Sequence, residues 1–205
     1  MRLWHSALVL AAFVLVLSTV ACGSTSPLLV SAENGGLSRI QDAIDATAPG
    51  GIIVIRSGTY KENLLIDRPL TLIGEDGAIV EPEDPSQPAI VVEKTEAVSI
   101  QGLTIRNAIV GIELMNSSCT ILDCLIRASG TGVNSVAFEG TTVLMDHVEF
   151  RGGGTGTGVA LLANCEFESF GTGASLGGAA STVIRGCSFE RCFDGVVIMN
   201  TVPAV

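Results

Sequence analysis

The chain has 205 residues, of which 47% are hydrophobic and 24 are glycine, and it carries 21 acidic side chains against 11 basic ones. Disordered chains contain far fewer apolar residues, so this composition indicates a folded domain that is rich in turns. The formal net charge of −10 argues against nucleic acid and anionic membrane surfaces as partners.

The first segment, residues 1–21, has the layout of a secretory signal. Arg2 lies near its start, an apolar run covers Ala7–Leu17, and small residues follow. The run Thr19–Gly23 resembles the lipobox of bacterial lipoproteins, in which the cysteine becomes the lipidated mature N-terminus. We therefore expect a lipoprotein-type signal with lipidation at Cys22, and the alternatives are ordinary cleavage or an uncleaved anchor. In each case the domain is extracytoplasmic, lipid-anchored to the cell envelope or secreted, and it contacts the membrane only through this anchor.

After the signal, residues 22–36 form a predicted tether of small and polar residues without a periodic pattern. The folded domain is predicted to span residues 37–205. It opens with apolar residues at helical spacing, which predict a short amphipathic helix over Ser38–Ala46. Ser38 is the expected N-cap, and Pro49–Gly51 provides the stop.

From Gly51 onwards the pattern changes to short apolar strands separated by turn residues. The predicted strands are Ile52–Ile55, Leu64–Ile66, Leu70–Ile73 and Ile90–Val92. The gaps between them, such as the predicted turn at Ser57–Thr59, are too short for the crossover helices of a βαβ protein. The chain is therefore expected to turn corners between strands.

The second half of the chain contains a degenerate repeat. In each copy an aliphatic residue is followed three positions later by Cys or an aliphatic residue, and two positions further by an apolar residue. The copies are Ile100, Leu103, Ile105; Ile121, Cys124, Ile126; Met145, Val148, Phe150; Leu162, Cys165, Phe167; and Ile184, Cys187, Phe189. A glycine lies six residues after each copy, at Gly111, Gly132, Gly156, Gly173 and Gly195. Successive copies start 21, 24, 17 and 22 residues apart, which is about one turn of a parallel β-solenoid.

These patterns predict an all-β solenoid, with the short N-terminal helix capping its first coil. Coils stacked about 4.8 Å apart turn equivalent positions into columns, and about seven coils would form a rod of about 34 Å. Cys124, Cys165 and Cys187 share one inward column, so we expect small buried hydrophobes there and not disulfides or zinc ligands. The pairing of Cys119 and Cys192 is not assigned by the repeat.

Several segments are similar to the opening coils of the pectin-lyase-like superfamily. They are Ile40-Gln41-Asp42-Ala43-Ile44, Pro49-Gly50-Gly51-Ile52-Ile53-Val54-Ile55, Gly58-Thr59-Tyr60-Lys61-Glu62, Leu70-Thr71-Leu72-Ile73-Gly74 and Gly102-Leu103-Thr104-Ile105-Arg106-Asn107. The resemblance covers about residues 37–202 and implies a right-handed parallel β-helix. That fold serves pectinesterases, carbohydrate-binding and sugar-hydrolase β-helix domains, and periplasmic copper-enzyme accessory proteins, so it does not imply one activity.

The catalytic motifs of the enzymes in this superfamily do not occur in the sequence. Absent are the Gln-Asp-Thr and Asp-Phe-Ile-Phe-Gly contexts of pectinesterases, the Gly-His-Gly segment of polygalacturonases and the calcium-binding aspartates of pectate lyases. Glycosidic hydrolysis needs two carboxyl groups about 5 to 10 Å apart on one face. Asp123 and Asp146 are the candidates, although the repeat places them in different columns. His147 is expected as an exposed turn residue.

Arg106, Arg127 and Arg151 fall in one outward column, which also carries two glutamates in later coils. Such a stripe is either a self-compensating ladder of charges or a platform for a sugar chain, in which the arginines bind uronate carboxylates as bidentate donors. Asn107 is a further ligand candidate beside Arg106.

Aromatic platforms for sugar rings are scarce, since aromatic residues make up 4% of the chain. Tyr60 is placed in a turn of the first coil. Phe170 and Phe193 are the remaining candidates for such a platform, although both are expected as packed turn residues.

We therefore predict a non-catalytic extracytoplasmic β-helix protein, without cofactor or metal, whose partner is a polysaccharide or another cell-envelope component. The alternative is a carbohydrate-active lyase, esterase or hydrolase with a divergent site at Asp123 and Asp146, and only this alternative would use calcium. A second alternative is a periplasmic copper-handling accessory protein, because stacked cysteines together with Met115 and Met145 offer soft ligands.

Overall fold

The computed structural model describes residues 26–32, 36–136, 143–151, 155–157, 161–168, 172–177 and 183–199. The described residues form a parallel β-solenoid of about six turns with one helix, which confirms the predicted fold class. No helix in these ranges has the length and apolar character needed to cross a membrane. The predicted signal segment, the lipidation candidate Cys22 and Phe170 lie outside the described residues.

The strands and the helix follow in chain order with these bounds: β1 (Leu28–Val30), α1 (Ile40–Ala46), β2 (Gly51–Ile55), β3 (Gly58–Lys61), β4 (Leu64–Ile66), β5 (Leu70–Gly74), β6 (Ala78–Glu81), β7 (Ile90–Glu93), β8 (Val98–Gln101), β9 (Thr104–Met115), β10 (Cys119–Leu122), β11 (Leu125–Val136), β12 (Val143–Asp146), β13 (Glu149–Arg151), β14 (Thr155–Thr157), β15 (Leu161–Ala163), β16 (Glu166–Glu168), β17 (Thr172–Gly177), β18 (Val183–Arg185), β19 (Ser188–Glu190) and β20 (Asp194–Met199).

Each coil crosses three faces, and neighbouring coils pair in parallel. The first face is the eight-stranded sheet β1-β2-β5-β8-β10-β12-β15-β18. The second face stacks β3, β6, the first part of β9, the first part of β11, β13, β16 and β19. The third face stacks β4, β7, the later parts of β9 and β11, β14, β17 and β20. Because β9 and β11 run from the second face into the third, these two faces form one sheet.

The repeat positions stack in register in the core, as predicted. Ile121 of β10 pairs with Ile100 of β8 and with Met145 of β12, and all three side chains are fully buried. On the second face the column of third positions ends in two phenylalanines, Phe167 and Phe189, whose ring centroids lie 4.8 Å apart with the ring planes inclined by 6°. Identical spacing along the solenoid therefore turns a one-dimensional repeat into continuous apolar columns.

The five glycines of the repeat also form one column on the third face. The residues on either side of Gly132 pair with those on either side of Gly111, and the column continues through Gly156, Gly173 and Gly195. A Cβ atom added to Gly111 would lie 2.5 Å from the carbonyl oxygen of Gly132. Glycine is needed at this point because the backbones of successive coils approach too closely for a side chain.

The cysteines are small core residues, as predicted for the inward column. Cys124 and Cys165 are buried, and burial raises the pKa of the Cys124 thiol to about 11 and that of the Cys165 thiol to about 12. Cys187 is partly exposed in the last coil. Cys119 is buried at the start of β10, where desolvation raises its pKa to about 12, whereas Cys192 is partly exposed in a turn. The five described cysteines are free thiols.

The helix α1 packs against β1, β2 and β4 at the N-terminal end of the solenoid, as predicted, but its cap differs from the prediction. The N-cap residue is Arg39 and not Ser38, and it makes no side-chain capping bond. Instead the buried carboxylate of Glu62 accepts hydrogen bonds from the backbone N–H groups of Ile40 at 2.8 Å and Gln41 at 3.0 Å. A carboxylate from the first coil thus replaces the local cap, which fastens the helix to the solenoid.

Two other expectations near the N-terminus are wrong. The predicted tether, residues 22–36, contains the strand Leu28–Val30, which pairs in register with β2, so the solenoid begins before residue 37. The predicted turn at Ser57–Thr59 is also wrong, because β3 begins at its middle residue. Tyr60 lies inside β3 and is buried, and its hydroxyl donates a hydrogen bond to the carbonyl of Arg56 at 3.0 Å.

Candidate functional site

Three arginines lie side by side on the outer surface of the second face. Arg127 of β11 pairs in register with Arg151 of β13, and Arg106 of β9 directly follows Ile105, which pairs with Ile126. Since side chains alternate across a strand, the residues that follow these buried isoleucines point outward. Neighbouring coils lie about 4.8 Å apart, so the three positions extend over about 10 Å. This set, Arg106, Arg127 and Arg151, is called the arginine row below.

The first member of the arginine row is paired with an acid of the preceding coil. The Nε atom of Arg106 donates to Oε1 of Glu81, whose side chain is only 12% exposed. The hydrogen bond from Arg106 lowers the pKa of the Glu81 carboxyl, and a hydrogen bond from Asn107 and the charge of Lys61 act in the same direction. Asn107 itself is exposed at the corner after the second face, with a φ of 61°.

The last member of the row is also compensated. Arg151 forms an ion pair with Glu149 of its own strand, and its Nε atom lies 3.6 Å from Oε2 of Glu168 in the next coil. Arg191, one coil further on, contacts the same Glu168 carboxylate. This end of the column is therefore a ladder of alternating charges, as one of the two sequence interpretations predicts.

Arg127, the middle member, differs from both neighbours. Its side chain is exposed, and no carboxylate in the described part of the chain forms an ion pair with it. Because the charges on either side are compensated, Arg127 is the member of the arginine row whose guanidinium has no ion pair among the described residues. A guanidinium of this kind can bind a carboxylate through two parallel N–H···O bonds.

Phe193 lies on the same edge of the second face as Asn107. The prediction that Phe193 is packed is wrong, because this residue is 91% exposed. Arg191, two residues earlier, has a φ of 54° and holds the corner position that Asn107 holds in its own coil. The strand register places this corner two coils beyond Arg151, which is about 10 Å along the solenoid. An exposed ring here can stack on the apolar face of a sugar.

Asp123 and Asp146 do not share a column, as predicted. Asp146 ends β12 opposite Leu122, whereas Asp123 occupies the following corner and its N–H donates to the carbonyl of Asp146 at 3.1 Å. The Asp146 carboxylate accepts a hydrogen bond from Nδ2 of Asn164 at 2.8 Å and lies 2.9 Å from Nδ1 of His147. His147 is 63% exposed, as expected for a turn residue.

The soft-metal candidates are spread over different faces. Met145 is buried in the core below the first face, whereas Met115 is 39% exposed at the end of β9. In the ranges that the structure describes, no group of three or more His, Cys, Asp or Glu side chains is placed to hold a metal ion.

Sequence reasoning missed one residue of this surface, Glu81. Glu81 lies in the column of the arginine row, and extending the repeat register backwards by one coil would have found it. Phe193 was already a platform candidate, but no pattern in the sequence predicted that its ring would be exposed.

The chain matches one family model and is similar in sequence to one cell surface protein. A family model described as "Right handed beta helix region" matches residues 88–202. A cell surface glycoprotein of Methanothermus fervidus is 34% identical over 93 residues, which cover 44% of this chain and 16% of that protein. This chain therefore matches only a small part of the length of that relative.

Two solved structures of pectin methylesterases are also similar. The one from Erwinia chrysanthemi has a TM-score of 0.47 and 17% identity over 74% of this chain and 55% of its own. The one from Aspergillus niger has a TM-score of 0.48 and 15% identity over 88% of this chain and 87% of its own.

Proposed function

Because the chain belongs to the right-handed β-helix family, we propose that it uses this scaffold as a cell-surface module that binds an anionic polysaccharide along the arginine row without cleaving it. A surface location is supported by the similarity to a cell surface glycoprotein. The ligand class follows from the chemistry of the second face, where the free donor is a guanidinium.

The observation that carries the proposal is the uncompensated charge of Arg127 between two paired arginines. The net charge of the chain is −10, yet among the described residues of the second face Arg127 is an exposed guanidinium without an ion pair. The uronic acids of polysaccharides carry carboxylates. The planar guanidinium of Arg127 can bind such a carboxylate through two N–H groups at once. Arg106 and Arg151 are already engaged by acids of the protein, so they position the neighbouring surface and contribute less to ligand affinity.

Phe193 supports an extended ligand. It lies about two coils from Arg151 on the edge of the same face, so a chain of several sugar units lying along the solenoid would reach both the arginine row and the exposed ring. Stacking on Phe193 would add affinity that does not depend on salt, whereas the contact with Arg127 weakens as ionic strength rises.

Binding of the full chain to polygalacturonate and alginate, compared with neutral dextran, tests the proposal. Arg127→Ala should weaken binding about tenfold or more, since a hydrogen-bonded charge contact contributes about 1.5–3 kcal/mol. Arg127→Lys should bind more tightly than Arg127→Ala but less tightly than the wild type, because lysine keeps the charge and lacks the paired N–H groups of a guanidinium. Arg185→Ala removes the same charge from the first face and should leave binding unchanged.

Two outcomes would contradict the proposal. An equal loss of binding in Arg127→Ala and Arg185→Ala would mean that net charge alone attracts the polymer. Release of reducing sugars or unsaturated products from these polymers, or of methanol from methyl-esterified pectin, lost in Asp123→Asn or Asp146→Asn, would instead support the enzyme alternative.

A further inference from the structure

Asn116 begins the sequence Asn116-Ser117-Ser118, which has the pattern Asn-X-Ser of an acceptor for N-linked glycans. No other asparagine among the 205 residues is followed two positions later by serine or threonine. The pattern is short and arises by chance in many chains, so its value depends on where the structure places it.

The structure places Asn116 on an exposed corner directly after β9, where the third face turns towards the first. Its φ is 50°, in the left-handed region that asparagine tolerates better than most residues. A buried asparagine has no room for a sugar, whereas this corner is at the outside of the coil.

The two serines give this corner a fixed shape. Ser117 is buried, and its hydroxyl oxygen lies 2.8 Å from the carbonyl oxygen of Met115 and 3.1 Å from that of Val92, so its single proton can be donated to either carbonyl. The N–H of Ser118 donates to the carbonyl of Thr95 in the preceding coil at 3.1 Å. Ser117 thus fixes the conformation of the turn, while Asn116 stays accessible.

From this placement we propose that Asn116 is an N-glycosylation site, modified once the chain has left the cytoplasm. The Nδ2 atom attacks the anomeric carbon of a glycan carried on a polyprenol phosphate or pyrophosphate. The bond from that carbon to the phosphate oxygen breaks, the lipid phosphate leaves with the electron pair, and the amide gives up one proton to a base of the transferase. The step is redox-neutral. The hydroxyl at position 118 is the group by which transferases recognise the acceptor sequence.

The attached glycan would not cover the arginine row. Asn116 lies at the corner between the third and first faces, whereas the arginine row lies on the second face. Glycosylation and polysaccharide binding are therefore independent, and either proposal can fail without the other.

Asn107, which lies inside β9, provides a control one face earlier in the same coil. It is also exposed, and its φ of 61° puts it in the same region of backbone conformation. It is followed by Ala108 and Ile109, so it lacks the hydroxyl at the second position after the asparagine. Exposure and conformation alone would modify both asparagines, whereas acceptor recognition would modify only Asn116.

The experiment is mass spectrometry of glycopeptides from the full chain isolated from its native cells. We expect a glycan mass on the peptide with Asn116 and none on the peptide with Asn107. Ser118→Ala should abolish the modification and Ser118→Thr should retain it. Asn116→Asp, which keeps a residue that tolerates the left-handed region, should abolish it without unfolding the protein, as checked by circular dichroism.

An unmodified Asn116 in the wild-type native protein would overturn the proposal. So would a modification of this peptide that persists in Ser118→Ala, because the hydroxyl would then have no part in recognition. A glycan on Asn107 would show that exposure and not sequence selects the site.

Discussion

Arg106, Arg127 and Arg151 are the same residue type in the same column, yet their neighbours give them different roles. Glu81 engages the first, Glu149 and Glu168 engage the third, and no acid in the described residues engages the second. The charge available to a ligand is therefore set by the local ion pairs and not by the number of arginines.

The pairing of Arg106 with Glu81 leads to a pH-dependent prediction. The folded-state pKa of Glu81 is lowered, so the pair stabilises the fold above the unfolded pKa of a glutamate, about 4.3, and this stabilisation is lost as the pH falls through the folded-state pKa. Arg106→Ala should reduce the free energy of unfolding at pH 7 by about 0.5–1 kcal/mol, because Arg106 is 40% exposed and solvent screens the pair. At a pH below the folded-state pKa of Glu81, where the carboxyl is protonated in both proteins, the difference should disappear.

Urea unfolding at pH 7 and at a pH below that folded-state pKa, with an NMR titration of the Glu81 carboxyl, measures both effects. The titration should move towards the ordinary glutamate pKa in Arg106→Ala. Arg127→Ala, which removes an arginine without a described partner, should change stability by less than about 0.5 kcal/mol at either pH. If both variants lose the same stability at pH 7, the pair with Glu81 is not its source.

At the scale of the elements, the coils are held together by close approach of backbones as well as by apolar columns. The glycine column on the third face shows this directly, because its members differ in how much space surrounds them. At Gly111 a Cβ atom would meet the Gly132 carbonyl oxygen at 2.5 Å, whereas at Gly195 the nearest atom is the Cβ of Phe189 at 3.6 Å. The same repeat position is thus tight in the middle of the solenoid and relaxed at its end.

Gly111→Ala should therefore destabilise the protein and Gly195→Ala should not. Forcing a methyl group against the backbone of the next coil costs about 1–3 kcal/mol, because the strands must move apart. At Gly195 the methyl group would make ordinary contacts, and the free energy of unfolding should change by less than about 0.5 kcal/mol. Thermal and urea unfolding of both variants compare the two sites, and equal destabilisation would mean that any alanine disrupts the column through its backbone preference.

At the scale of the whole molecule, each coil contacts only the coils before and after it, so stability varies along the solenoid. The buried carboxylate of Glu62 and the helix α1 cover the first coil. In the last described coil the inward residues Cys187 and Phe189 are partly exposed, although Cys165 and Phe167 are fully buried one coil earlier.

This gradient predicts that opening begins at the last described coil. Backbone amides of β18, β19 and β20 should exchange with deuterium well before those of β8 and β10, because fewer apolar contacts are lost when the last coil separates. Hydrogen exchange of the full chain, followed by mass spectrometry of peptides from both regions, measures the order. Uniform exchange across the coils would show that the solenoid opens as one cooperative unit.

The parts of the architecture that depend on periodicity were readable from the sequence. Ile100, Ile121 and Met145 recur at one-coil spacing, and the structure pairs them in register. The glycines six residues after each copy were aligned in the same way. A repeat of this kind can be recognised in the sequence because every coil packs residues of the same types at the same positions of its core.

Other features depended on contacts between residues far apart in the chain. The helix cap was predicted at Ser38 from local chemistry, but Glu62, which comes from the first coil, satisfies the helix N-terminus. Leu28–Val30 is too short to show a period, and it becomes a strand only because β2 offers it a partner. Phe193 was expected to pack, but its ring is exposed in the folded chain.

Spacing and apolar pattern alone thus determine that this chain forms a stacked β-solenoid, since burial of a repeated apolar side chain at fixed intervals allows few other folds. The tertiary structure alone decides which arginine of the row has no ion pair among the described residues, because Glu81 reaches Arg106, and Glu168 reaches Arg151, from a neighbouring coil. Charge compensation depends on distances in space, and a linear sequence does not contain those distances until the coils are stacked.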